Sequence, residues 1–153
     1  MHLSTYLALL DSSLETLSDA YAQVAQAHGE EPDVAILCAQ LADKTRSQRE
    51  ALGQFVARYG EEHGEAEPDR LRSDLFQGTR SGGVGLLRDL QDLYLLATLA
   101  DITWTLVGQA AQGARDRALH KTVAECESQT SAQLKWLKTR MKSAAPQALL
   151  VAS

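Results

Sequence analysis

Cysteine, proline and aromatic residues are scarce in this chain, and so is positive charge. Its 153 residues include two cysteines and three prolines, and 5% are aromatic. Two cysteines cannot build a disulfide framework. Cys38 and Cys126 lack a CxxC spacing and lie on or beside apolar stripes. They read as reduced core residues of a cytoplasmic protein. Lys and Arg number 15 against 20 Asp and Glu, for a net charge of -5. That balance carries no basic footprint, so no nucleic-acid partner is expected. The longest apolar stretch, 93–107, is broken by Asp101 and falls short of the roughly 20 residues a membrane span needs. No basic region precedes the apolar residues 6–10, so no secretory leader is expected and no membrane partner either. Walker-type loops are missing. The glycines at 81–85 lead into a helix with no strand before them, which suits a helix start better than a phosphate cradle.

Long helical patterns fill the chain instead. Leu3, Leu7, Leu10, Leu14, Leu17, Tyr21, Val24 and His28 alternate in steps of four and three, a bundle seam over about 3–28. Gly29 suits a left-handed helix stop, and Pro32 with Asp33 suits the start of a second helix over about 32–59, ended by Gly60. A third helix is predicted over about 84–112 and a fourth over about 116–143, with Asp116 as its cap and Pro146 beyond its end. The stretch 61–83 is the single long connection, with a short capping helix predicted over 69–76. The apolar tail, Ala148 to Val151, is expected to dock on its own domain.

The most informative feature occurs twice. Thr45-Arg46-Ser47-Gln48 and Thr130-Ser131-Ala132-Gln133 each lie mid-helix, with Thr and Gln where the stripe asks for apolar residues. Glu15 echoes Asp101, Gln23 echoes Gln109 and Leu52 echoes Leu137, in co-linear order. This pattern argues for duplication of a helical hairpin. A Thr can bond back to the carbonyl four residues earlier, Thr45 to Leu41 and Thr130 to Cys126. Gln48 and Gln133 cannot, and are expected to reach each other, Tyr21, Glu15, Asp101 or water. The layer reads as a register-setting polar layer, with a small polar pocket as the alternative.

Two hairpins joined by a long crossover, with half-to-half similarity, resemble the ferritin-like four-helix bundle. In that superfamily the metal-binding members hold a di-metal centre at mid-bundle, built from lone Glu residues and Glu-x-x-His pairs. By that resemblance the paired positions fall on Thr45 with Gln48 and on Thr130 with Gln133. The lone Glu positions fall at or next to Leu14 and Ala100, with Glu15 and Asp101 one residue away. None of the paired positions keeps the motif, and neutral Thr and Gln are weak ligands for iron, manganese or zinc. His2, His28, His63 and His120 share no helical ligand spacing; His28 is expected to hold its tip in solvent at the bundle end.

The third helix carries one stripe at Leu86, Leu90, Leu93, Ala97, Ala100, Trp104, Val107 and Ala111, and Leu95, Leu99, Ile102 and Leu106 form a second, nearly opposite. A helix apolar on two faces is buried on two sides, which predicts a homodimer through these four residues. The chain therefore reads as an all-α, ferritin-like four-helix bundle: a non-enzymatic scaffold or interaction protein with no catalytic residues, metal or cofactor. A metal-handling or redox protein with an atypical site, and a bundle that binds a small apolar ligand, are the alternatives.

Overall fold

A computed structural model describes residues 2–63 and 76–151, excepting the side chains of 61–63. The chain is an all-α four-helix bundle: α1 (Leu3–Ala27), α2 (Pro32–His63), α3 (Gly82–Gly113) and α4 (Arg117–Pro146), followed by a single wide π turn, Gln147–Val151. The predicted helix over 69–76 lies outside the described residues, except for Phe76, which packs against the core outside any helix. Among the described residues no helix is long and apolar enough to cross a membrane.

Polar contacts at the helix ends fix the directions. At one end of the bundle, His28 at the close of α1 meets Asp89 near the start of α3, and Arg140 near the close of α4 bonds Asp33 and Glu31 at the start of α2. At the other end, Arg58 and Tyr59 of α2 bond Asp116, the cap of α4. The helices therefore run up, down, down, up. The close of α2 and the start of α3 lie at opposite ends, about 38 Å apart for helices the length of α1. α1 packs chiefly on α2 and α3 chiefly on α4, and the two hairpins meet through α1 and α3.

The seams fill the core. Leu7, Leu10, Leu14, Leu17, Tyr21 and Val24 of α1 are buried against Leu90, Leu93, Ala97, Trp104 and Val107 of α3 and their counterparts on α2 and α4. α3 and α4 approach closely at Gly108, where an added Cβ would lie 3.0 Å from Val123 Cγ1.

Several expected helix ends move. Gly29 does not take a left-handed conformation; His28 caps α1 with φ -118, and its N–H bonds back to Val24. Gly60 lies inside α2, and Gly113 is the last residue of α3. The left-handed residue of that turn is Arg115, φ 55, whose N–H reaches the Gln112 carbonyl. Pro146 does not stop the chain's winding. It lacks the N–H that an α-helix would use there, and the helix widens into the π turn beyond it. The tail docks only through Ala148; Leu149, Leu150 and Val151 are exposed, Leu150 by 84%. Arg140 ties α4 to the start of α2 through Glu31 and Asp33.

Candidate functional site

The Thr/Gln layer is buried on all four side chains, Thr45, Gln48, Thr130 and Gln133. Both threonines bond back along their own helices: Thr45 Oγ1 donates to the Leu41 carbonyl at 2.7 Å and Thr130 Oγ1 to the Cys126 carbonyl at 2.8 Å. Their hydroxyl protons are thereby committed. The glutamines reach across the bundle. Tyr21 Oη donates to Gln133 Oε1 at 3.0 Å, and Gln48 Nε2 donates to Gln129 Oε1 at 3.1 Å.

The two glutamines do not bond each other, and the antiparallel course of α2 and α4 explains why. Gln48 lies level with Gln129, one turn before Gln133, so the two are separated by about 6 Å along the bundle axis. Gln129 was not singled out from sequence, because it lies beside the stripe rather than on it. Its place one turn from Gln133, on the same side of α4, was the available signal.

The flanking carboxylates stay out of the layer. Glu15 points to the surface, where its half-exposed side chain (55%) pairs with Arg49, which also clamps Asp11. Its backbone position explains this: one residue past Leu14 turns the side chain about 100° from the seam. Asp101 lies on the α3–α4 side, lining an open groove with His120, Glu127 and Ser131, and burial raises its pKa. Neither approaches as a ligand to Thr45, Gln48, Thr130 or Gln133. Among the described residues no group of three or more His, Cys, Asp or Glu is placed to hold a metal ion.

What the layer does chemically is donate and accept neutral hydrogen bonds. Burial, with a smaller contribution from Cys38, pushes the Tyr21 phenol far above its ordinary pKa, so the phenol keeps its proton and donates it to Gln133. Burial likewise raises the free thiols, Cys38 to about 12 and Cys126 to about 11, with Asp33 and Glu125 adding to the respective shifts. Neither is a ready thiolate nucleophile. Two buried donors, Gln133 Nε2 and Trp104 Nε1, have no hydrogen-bond partner among the described residues.

Tyr21→Phe should cost about 1–3 kcal/mol, because it leaves the whole Gln133 amide buried without a bond. Adding Gln133→Leu to that variant should recover most of the loss, since both partners are then apolar. Urea unfolding of the single and double variants measures the difference; a double variant less stable than Tyr21→Phe would contradict the pairing.

A second buried polar cluster closes the upper end, where the sequence places the tip of His28 in solvent. His28 is buried, not tipped into solvent. Asp89 Oδ2 accepts from His28 Nε2 at 2.7 Å and from the Arg80 backbone N–H at 2.9 Å, while Oδ1 accepts from the Arg80 guanidinium at 3.0 Å. Arg80 also pairs with Asp92. The cluster ties the entry to α3 to the end of α1.

Among the described residues nothing covers the expected second face of α3 in full. Leu95, Ile102 and Leu106 are 50%, 49% and 47% exposed, and Leu99 between them is half-buried. Beside Leu106 lies an apolar groove of about 450 Å³, formed with Leu3 and Tyr6 of α1 and Val107, Ala110 and Ala114.

Comparison with family models, curated proteins and solved structures finds no match to this chain.

Proposed function

We propose that the protein is a non-enzymatic bundle of ferritin-like type that acts as an interaction scaffold, built as a homodimer through α3. One observation carries the reading: the apolar strip Leu95, Leu99, Ile102 and Leu106, which stands in water along the bundle's outer face. Contiguous apolar surface of this kind marks association sites. Full burial of a leucine or isoleucine contributes about 1.5–3 kcal/mol. Three side chains already half covered offer roughly half of that each, doubled by a two-fold axis and opposed by the cost of association.

The ferritin-like part of the proposal is supported by the up, down, down, up order of the helices and by the placement of the Thr/Gln pairs at mid-bundle. Where the metal-binding members carry carboxylates and imidazoles, this chain holds neutral groups, the threonines bonded to their own helices and the glutamines to Gln129 and Tyr21. The net charge of -5 and the free buried thiols fit a cytoplasmic protein that avoids nucleic acid.

Light scattering tests the reading. The wild-type protein should scatter with twice the 16.6 kDa mass of one chain. Ile102→Glu places a charge on a residue half exposed in the single chain, so the fold should survive, and the dimer should be lost. A monomeric wild type would contradict the proposal.

A further inference from the structure

Charge is spread unevenly over the four helices. All five lysines lie on α2 and α4, and α1 and α3 carry none. The charged residues of α1 are Asp11, Glu15 and Asp19, spaced by four along the edge toward α2. Asp11 and Glu15 bond Arg49 there, and Asp19 acts on the same guanidinium. On α3, Asp89 and Asp92 are bound by Arg80, and Asp101 lies on the α4 side. Only Arg88 of that helix is left without an opposite charge among the described residues. The outer face shared by α1 and α3 is therefore almost free of charge. The apolar strip borders it, since Leu106 lines a groove with Leu3 and Tyr6 of α1. Loss of charge, lysine included, around apolar and aromatic side chains is the composition of an interface core.

Area decides whether α3 acts alone. From Leu95 to Leu106 the strip spans about 17 Å of a helix about 10 Å wide, roughly 170 Å². A stable complex takes about 800 Å² from each partner. Two neighbouring helices, about 38 Å long and together about 20 Å across, present roughly 760 Å². A dimer on α3 reaches a stable size only when α1 joins it.

The strip's spacing of four, three and four reads the same in both directions about the midpoint of Leu99 and Ile102. A two-fold axis there, in the interface and perpendicular to α3, sets Leu95 on Leu106 of the second copy and Leu99 on its Ile102. The same axis sets Arg88 across from Gly113, the last residue of the second copy's α3, where the carbonyl end of a helix favours a cation. Arg115 and Arg117 lie to the other side of that end, along a groove with His120 of α4. An axis parallel to the helices would instead oppose Arg88 to Arg88. The antiparallel axis keeps α1 opposite α1. His28 meets Asp89 at one end of these helices, and Leu3 shares a groove with Ala114 at the other, so the midpoint of Leu99 and Ile102 is level with Thr16. We infer that two copies associate face to face and antiparallel through α1 as well as α3, with the half-buried Thr16 of each beside the axis. The inference rests on the α3 dimer proposed above.

Disulfide trapping tests it. Thr16→Cys alone should give a covalent dimer on oxidation, because the axis brings its two copies together. Leu95→Cys alone should not, since its copies stand about 17 Å apart along the helices. Leu95→Cys with Leu106→Cys in one chain should cross-link. The native Cys38 and Cys126 are buried and do not compete. Cross-linking of Leu95→Cys by itself overturns the antiparallel axis, as does a paired variant that fails to cross-link. A paired variant that cross-links while Thr16→Cys does not confines the interface to α3 and overturns the inference, leaving the α3 dimer standing. Separately, Thr16→Lys should keep the helical circular dichroism, its stem reaching water in the single chain. It should weaken dimerisation by about tenfold or more in sedimentation equilibrium. An unchanged dissociation constant overturns the part given to α1 and leaves the α3 dimer in place. A wild type that stays monomeric overturns both.

Discussion

Asp89→Ala is expected to lower the unfolding free energy by about 3–5 kcal/mol. The carboxylate is buried in full, yet it accepts three hydrogen bonds, from His28 Nε2, the Arg80 amide and the Arg80 guanidinium. Removing it leaves the imidazole of His28 facing a void at the closed end of the bundle and frees the strand of chain that leads into α3. Close packing leaves little room for compensation: an added Cβ at Gly85 would lie 3.0 Å from Arg80. Asp89→Asn keeps an oxygen acceptor and much of the volume, so it should cost less than Asp89→Ala. Replacing His28 and Asp89 together by Leu should cost less than Asp89→Ala alone, because no polar atom of the pair is then stranded. Urea denaturation at neutral pH measures all three. A loss below about 0.5 kcal/mol for Asp89→Ala, the range of an ordinary surface change, would show that the cluster does not hold the bundle end.

Trp104→Ala should cost a similar amount, about 3–5 kcal/mol, for a different reason. Trp104 heads the fully buried side chains by volume, on the face of α3 that meets the core. Its removal opens a large cavity between helices already fixed by their neighbours. Trp104→Phe separates packing from polarity. It keeps one ring and discards the indole N–H, which has no partner among the described residues. The gap that remains is offset by the loss of a buried, unbonded donor, so this variant should stay within about 1.5 kcal/mol of the wild type. If Trp104→Phe proved as damaging as Trp104→Ala, the indole N–H would have to be bonded, and the account of this part of the core would be wrong.

The parts of this structure that could be read from sequence are those governed by local periodicity. Steps of three and four placed the seam of α1 and the core-facing stripe of α3, because burial on a helix follows the turn angle directly. The two threonines were legible for the same reason: a bond to the carbonyl four residues earlier needs no tertiary information. Partners across the bundle were less accessible. Tyr21 stood among several candidates for the glutamines, while Gln129 did not, since choosing between them requires the vertical offset of antiparallel helices. Nothing local connects His28 with Asp89, 61 residues away. A stripe that ends in histidine suggests a solvent tip until the chain entering α3 is seen to close over it with Arg80. The C-terminal end was misjudged through Pro146. Proline removes one hydrogen bond but need not end the winding when the next turn widens.

In the reading proposed above, the mid-bundle layer is a neutral, hydrogen-bonded element in place of a metal centre. Anionic oxygens and imidazoles make such centres, and charges of that kind are costly to bury without their metal. Here Thr45 and Thr130 spend their protons on their own helices, Gln48 and Gln133 bond Gln129 and Tyr21, and Glu15 faces Arg49 at the surface. The most direct test is elemental analysis of the purified protein, paired with thermal unfolding with and without a strong chelator. No stoichiometric iron, manganese or zinc and an unchanged Tm are expected. One or more metal ions per chain, with anomalous scattering placing them between Thr45, Gln48, Thr130 and Gln133, would contradict it.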